Sequence, residues 1–328
     1  PFAGRFLKHN PPAEPLTQDE LDRVYGLPYA RAPHPRYAGS EIPAFTQIQT
    51  SVTAHRGCFG GCHFCTLGYH QGKAIQSRST ASILNEIRII ARQPGFKGSI
   101  SDVGGPTANM YGMSCRRGIE RSCPRRSCLY PSICPNLDTS HQPVKALLAA
   151  CRTMAGVKHV FVSSGVRYDL ALEDDGYIRD LSDNYVSGYL KVAPEHISRG
   201  TLRLMHKPPF RLYEQFVERF ERHSAQAGRR QHVIPYLIVG HPGTRMQDAI
   251  ELHQYLKRND IRLEQVQEFT PTPMSISTCM YYTGRDFDSG DPIHVPKGRE
   301  LRLQKALVLW WAPENRKLVL EAYKAGDR

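Results

Sequence analysis

Six β-like runs alternate along this chain with stretches of helical period, and that alternation constrains the fold more than any other feature. The runs are 46–53, 98–103, 158–162, 185–192, 233–239 and 263–270. Between them, helices are predicted from Ser79 or Thr80 to about Arg92, and over 143–154, 170–181, 212–227 and 246–257. In the first, Ile83, Ile87 and Ile90 form one apolar stripe. Strand, turn, helix and strand in this order make βαβ units, whose strands pair in parallel. Glycine or polar turns close nearly every run: Asp102-Val-Gly-Gly-Pro-Thr107, Ser163-Ser-Gly-Val-Arg167, Pro194-Glu-His196 and Gly240-His-Pro-Gly243. A doubly wound sheet would gather its glycines at one switch point. The spread over many strand ends predicts instead an α/β fold, a partial (β/α)6 TIM-like barrel with its chemistry at the strands' carboxyl ends.

Three thiols follow the first run in Cys58-Phe-Gly-Gly-Cys62-His-Phe-Cys65, spaced C-x3-C-x2-C on a glycine-rich loop. Cysteine-only ligation selects iron–sulfur or zinc. No fourth ligand lies nearby, whereas structural zinc wants four and a catalytic metal keeps one position open. Four more cysteines, Cys115, Cys123, Cys128 and Cys134, interrupt a connection far longer than the usual 2–6 residues or so. Their spacing matches neither common zinc-finger nor common ferredoxin patterns, so a second Fe–S cluster, a structural zinc, or unligated thiols in a flap all remain open. Cys151 reads as a small core residue. His63, between two of the triplet's cysteines, is expected to face solvent.

The chain's 328 residues suffice for one large α/β domain or two smaller ones, and 40% hydrophobic content supports a real core. Residues 1–45 are proline-rich and read as an extended tail of an upstream domain. Within them only a helix from Thr17 to Tyr25 is predicted, capped by a Thr17/Glu20 box. The core is placed at 46–284 with a cysteine-rich insertion at 106–140, and two helices at 285–328 close the chain. Pro1-Phe2-Ala3 opens it without a methionine or a signal-like segment, which reads as a piece of a longer protein. Nine clustered cysteines suit a reducing cytoplasm. No apolar run is long enough to span a membrane. A net charge of +12 and a pI near 9.3 favour RNA or another anionic substrate.

The triplet, with Phe64 before its last cysteine, resembles that of the radical S-adenosylmethionine (SAM) superfamily. Arg56-Gly-Cys-Phe-Gly-Gly-Cys62, Gln76-Ser-Arg-Ser79, Asp102-Val-Gly-Gly-Pro-Thr107 and the later cysteines are similar to the YgiQ-type family, over nearly the whole chain. The resemblance implies a [4Fe–4S] cluster on Cys58, Cys62 and Cys65 whose fourth iron chelates SAM, and reductive cleavage of SAM to a 5′-deoxyadenosyl radical. It implies a reductase or flavodoxin-like electron donor. Gly104, Gly105 and Thr107 would receive the SAM amino group. Ser163, Ser164 and Arg167 would meet its ribose and carboxylate, and backbone at Gly240 its adenine. Phe64 and Glu195 complete the expected contacts; His196, Lys191, Thr278, Tyr281 and Tyr282 are weaker candidates. Two departures stand out. Pro106 replaces the acidic residue often found after the paired glycines, and no RNA-binding β-barrel follows the core. A reading of a different class is a non-enzymatic zinc- or Fe–S-dependent RNA-binding protein, with the two cysteine groups as scaffolds.

Overall fold

The computed structural model describes residues 13–326 and, ahead of them, 4–6, 8 and 10. The predicted N-terminal helix α1 (Gln18–Tyr25) is present with its capping box: the Thr17 hydroxyl accepts from the Glu20 N–H and the Glu20 carboxylate accepts from the Thr17 N–H. The run predicted as strand over 46–53 divides. Pro43 occupies the first turn of helix α2 (Pro43–Ile48), where a fixed φ and a missing N–H cost nothing, so only β1 (Ser51–Thr53) is extended. A short antiparallel pair follows, β2 (His55–Arg56) with β3 (Gln76–Ser77), enclosing the cysteine loop and the one-turn helix α3 (Leu67–His70).

The remaining elements come in the expected alternation. They are α4 (Thr80–Ala91), β4 (Ser99–Ile100), β5 (Asp102–Gly104), α5 (Gln142–Arg152), β6 (His159–Val160), α6 (Tyr168–Ala171), α7 (Asp175–Asp180) and β7 (Tyr189–Glu195). After these come α8 (Arg199–Met205), α9 (Phe210–Gln226), β8 (His232–Val239), α10 (Met246–Arg258) and β9 (Gln267–Glu268). The chain ends with α11 (Ile276–Thr283), α12 (Arg299–Val308) and α13 (Arg316–Gly326). A π-helical turn, Leu181–Tyr185, extends α7, so the strand expected from Tyr185 starts four residues later. The last strand, expected over 263–270, is two residues long. The Trp310 and Trp311 indole N–H groups take the Ile261 and Leu263 carbonyls, leaving no ladder there. Helices α8 and α11 fall outside the sequence expectation.

Every long-range pairing of the main strands is parallel. β1 pairs β5, β4 pairs β6, and β7, β8 and β9 form a three-stranded sheet. Single hydrogen bonds join the pieces: the Val103 N–H donates to Phe161 O and the Val162 N–H to Tyr185 O, each at 3.0 Å. The main core lies between these strands and helices α4, α5 and α9. Ile83, Ile87 and Ile90 are fully buried there with Val52, Ile100, Val160, Phe216 and Phe220, as is Cys151. A smaller core joins α10 to α12 and α13 through Ile250, Leu303, Leu307 and Ala322. Among the described residues, no helix is long and apolar enough to cross a membrane.

Candidate metal and SAM site

The cysteine loop leaves β2 through Gly57, whose φ of +90° favours glycine; a Cβ there would stand 2.1 Å from the Ala74 carbonyl oxygen. Gly61, at φ +63°, also lies close to the insertion, a Cβ meeting Arg126 O and Ser127 at 2.8 Å. The Ser127 hydroxyl donates to Gly60 O at 2.6 Å and the Cys128 N–H to Phe59 O at 3.0 Å. The insertion therefore clasps the loop and fixes where its sulfurs point. Two of those sulfurs receive donors: the Gly60 N–H reaches Cys58 Sγ at 3.4 Å and Arg167 Nη1 reaches Cys62 Sγ at 3.5 Å. Burial raises the Cys58 thiol's pKa and pushes Cys65 up to about 11.

A zinc–sulfur bond of about 2.3 Å puts tetrahedral thiolates roughly 3.8 Å apart. Among the described residues, neither the triplet nor any three of Cys115, Cys123, Cys128 and Cys134 have sulfurs all within 4.8 Å of one another. Two of the triplet's sulfurs carry N–H donors, the kind of bond that tunes a cluster held by thiolates. The insertion's cysteines make no closed zinc set. Cys128 is packed among Phe59, Met110, Met113, Leu129 and Leu137, Cys134 bonds its N–H to Cys128 O, and Cys115 bridges to Leu137.

The expected SAM contacts gather beside the triplet, but several are already engaged within the protein. The Asp102 carboxylate accepts from the Ser163 and Ser164 N–H groups at 2.7 and 3.0 Å, while burial pushes its pKa up. The Ser163 hydroxyl donates to Ser101 O. Gly104 lies so close to Ser164 that a Cβ would fall 1.8 Å from its hydroxyl, and a Cβ on Gly105 would meet the His55 ring at 2.6 Å. Thr107 precedes a 3-10 turn whose Asn109 side chain accepts from the Arg167 N–H and donates to Arg167 O. Arg167 does not present a free fork. Nε and Nη2 grip Asp169 at 2.8 and 2.6 Å, and only Nη1 faces the site. Asp102, Asn109 and Asp169 are therefore functional neighbours the sequence reading missed; the Asp two positions after Arg167 was the available signal.

Glu195 ends β7 at φ +71°, unusual for a residue with a Cβ, beside a register shift between Val192 and Glu195. That shift turns its buried carboxylate toward Lys207 Nζ, 3.8 Å away. Burial raises its pKa against the pull of Lys207 and Arg167. His196 is fully buried with Nδ1 accepting from the Ser198 N–H. Lys191 lies on the outer face of β7 against Tyr236, away from these contacts. Phe64 packs on a cluster of Leu202, Met205, Ile238 and Phe269, with Tyr281 beside it, and meets His241 edge-on. Thr278 lies in the first turn of α11, its N–H donating to the hydroxyl of the capping Ser275, and Tyr282 is 90% exposed. Gly240, at φ +74°, gives its N–H to Gln304 of α12. His63 is not solvent-facing: it is 2% exposed, since its N–H and carbonyl tie the loop to Met205 and Ser277.

Cys58, Cys62 and Cys65 open into a cavity of about 1240 Å³. Its wall comes from the N-terminal segment, the 68–76 strip and the insertion, including Cys123. Six cations (Arg31, Arg56, Lys73, Arg121, Arg125 and Arg126) line it against three carboxylates, Glu14, Glu86 and Glu120. Arg31 is held by Glu86 at 2.6 Å, Arg121 by Glu14, and Arg126 stands 4.0 Å from Asp288, so the surplus rests chiefly on Arg56, Lys73 and Arg125.

Residues 52–256 match the family model of the radical SAM superfamily, residues 2–51 that of the radical SAM N-terminal region, and residues 264–328 a domain of unknown function, DUF3362. The chain belongs to the radical SAM superfamily; its domain is that of a radical SAM enzyme, which implies a [4Fe–4S] cluster and SAM. It is 54% identical over 327 residues to a UPF0313 protein of Geobacter sulfurreducens, covering 99% of this chain and 54% of that one. It is also 48% identical over 330 residues to the UPF0313 protein YgiQ of Escherichia coli K12, covering 98% of this chain and 44% of that one. The chain thus spans about half the length of these curated relatives. A solved radical SAM methyltransferase, TsrM from Kitasatospora setae with cobalamin and a [4Fe–4S] cluster bound, is 14% identical at a TM-score of 0.44, over 70% of this chain and 35% of that one.

Proposed function

We propose that residues 46–284 form the catalytic core of a radical SAM enzyme, a partial (β/α)6 barrel. In this reading Cys58, Cys62 and Cys65 hold the cluster, SAM docks beside it, and an anionic substrate enters the adjoining cavity. The observation that carries the reading is the buried sulfur triplet, given N–H donors by Gly60 and Arg167 and opening into a cavity of about 1240 Å³. A [4Fe–4S] cluster held by Cys58, Cys62 and Cys65 would supply the electron for reductive cleavage of SAM. The chain's own task is placement and exclusion of water. Arg167, charged and locked by Asp169, donates toward Cys62. Glu195 offers a buried carboxylate for the SAM ribose or the substrate. Backbone at Gly104, Gly105 and Thr107 faces the amino group, and Phe64 and the Gly240 turn border the adenine. Ser163 and Ser164 act chiefly through Asp102, whose bonds to their N–H groups hold the strand ends together.

The cationic surplus of the cavity and the net charge of +12 support an anionic substrate, RNA included. We place the protein in the cytoplasm, reduced by a flavodoxin-like donor or its reductase. An auxiliary Fe–S cluster or a structural zinc in the 106–140 insertion belongs to the same reading. The test is anaerobic reconstitution followed by dithionite and SAM. The wild-type protein is expected to form 5′-deoxyadenosine and to lose that activity in C62A. A wild-type protein that shows no [4Fe–4S] absorption and leaves SAM intact overturns the reading. Iron of about four per chain, against about eight, decides between one cluster and two.

A further inference from the structure

Strands β7 and β8 bury one face against the helical core and leave the other open. On β7, Leu190 and Val192 are buried while Tyr189 and Lys191 are exposed. The parallel register sets Tyr189 opposite His232 and Lys191 opposite Ile234, so Tyr236, two residues further along β8, shares that open face. We propose that this face binds bases of single-stranded RNA, with Tyr189 and Tyr236 as stacking surfaces and Lys191 as a phosphate contact. The proposal deepens the reading above by naming the chemistry of its anionic substrate.

Three observations carry this. First, the rings are uncovered: Tyr189 is 66% exposed and Tyr236 47%, on strands whose opposite face is buried. Tyr189 and His232 meet only obliquely, with centroids 6.2 Å apart and planes 33° from parallel, so the phenol keeps a free face. Second, cations stand among these rings without acidic partners. Lys191 Nζ lies 5.7 Å from the Tyr236 ring centroid. Arg229 and Arg230 are exposed at the amino end of β8, and among the described residues none of the three cations is in an ion pair. Bases offer planar faces to the tyrosines and phosphates to the cations. An apolar peptide would leave the cations unmatched, and an acidic one would leave the rings bare. Third, the open face leads toward the expected SAM contacts. The Val162 N–H bonds to Tyr185 O just ahead of β7, and a Cβ on Gly165 would stand 3.8 Å from Lys191 O. The turn carrying Ser163, Ser164 and Arg167 therefore runs beside the Lys191 backbone. Along β7 itself, about 13 Å separates Lys191 from Glu195.

The probe is a short fluorescein-labelled oligoadenylate, titrated with anaerobic protein and followed by anisotropy. SAM and reductant are left out, so binding is read independently of SAM cleavage. The wild type is expected to bind this strand and to prefer it to an RNA duplex, whose bases already stack on one another. Y189A and Y236A should each weaken binding by about fivefold or more, and Y189F should stay within about twofold of wild type. K191Q should flatten the plot of log affinity against log salt by about 0.7, the loss of one phosphate contact. All three side chains are exposed, and circular dichroism checks that the variants keep the fold. Four results overturn the proposal: no binding by the wild type, equal binding by Y189A/Y236A, equal affinity for the duplex, or equal competition by polyglutamate. None of them alters the formation of 5′-deoxyadenosine, by which the radical SAM reading stands or falls separately.

Discussion

Replacing Arg167 with Gln separates two consequences of one side chain. The Arg167–Asp169 pair is almost wholly inside the protein, with side chains 8% and 3% exposed. Burial pushes Asp169 toward the protonated form, and chiefly the guanidinium, bonded to both carboxylate oxygens and helped by Lys207 and the Leu170 N–H, holds its pKa below the ordinary value. R167Q strands that carboxylate. Breaking a buried pair from one side costs about 3–5 kcal/mol, whereas replacing both partners by neutral groups is often near neutral. R167Q should therefore lose about 3–5 kcal/mol in urea unfolding followed by circular dichroism, and R167Q/D169N should recover most of it. The second consequence concerns Cys62. A hydrogen bond to a charged acceptor is worth about 1.5–3 kcal/mol. If on the order of 1 kcal/mol of that arises only when the cluster gains an electron, the one-electron potential should fall by about 40 mV without the donor. Both variants should show that shift, because both lack the Nη1 donor. An R167Q protein within about 1 kcal/mol of wild type, or a double variant as unstable as the single one, would refute the reasoning.

Gly104→Ala would place a Cβ 1.8 Å from Ser164 Oγ and 3.0 Å from Asp102 Oδ2. The expected loss is about 1–3 kcal/mol from overpacking; in G104A/S164A thermal unfolding should show part of it restored. His55 and His141 are held neutral by burial, each with a pKa lowered from 6.5 to about 4. Above pH 6.5 both are neutral, folded or unfolded, and contribute nothing to the pH dependence. As pH falls from 6.5 toward 4 the unfolded chain binds protons that the folded one refuses. Stability should therefore drop across that window, by on the order of 3 kcal/mol per imidazole. Urea midpoints measured from pH 7 to pH 4 check this, and H141Q should flatten the curve.

The parts of this molecule readable in advance were those in which neighbouring residues determine the outcome. The Thr17/Glu20 box, the isoleucine stripe of α4 and the glycines of the cysteine loop each act over a few positions, and each stands where the pattern placed it. Elements settled by distant partners were not legible. Helix α8 is held in part through the Met205 carbonyl, which accepts from His63, and α11 through the Ser277 N–H, which donates back to His63 O. The same two bonds bury His63, so its exposure could not be judged from the loop that carries it. At the candidate site the residue types were legible but their engagement was not. Asp102 looked like part of a glycine turn, yet its carboxylate bonds the two serines expected to meet SAM directly.

The turn after β8 shows how such engagement changes what a motif means. A glycine with positive φ at a strand's carboxyl end suggests backbone laid open to a ligand, and that is how Gly240 reads in isolation. Here a Cβ at Gly240 would lie 2.2 Å from Leu301 Cδ1, and its N–H is taken by Gln304, a fully buried side chain of α12. The glycine is required by helix packing whether or not adenine approaches from the opposite side. Three further contacts press the same helix into place. His253 Nδ1 donates to Leu307 O, Lys305 pairs with Glu268 at 2.6 Å, and Gln304 donates to Thr244 O. The segment that matches DUF3362 thus positions the end of β8 and the adjoining β9 from behind. Any SAM contact at Gly240 would accordingly depend on α12 being docked, and a change at Gln304 would reach the site without touching a ligand.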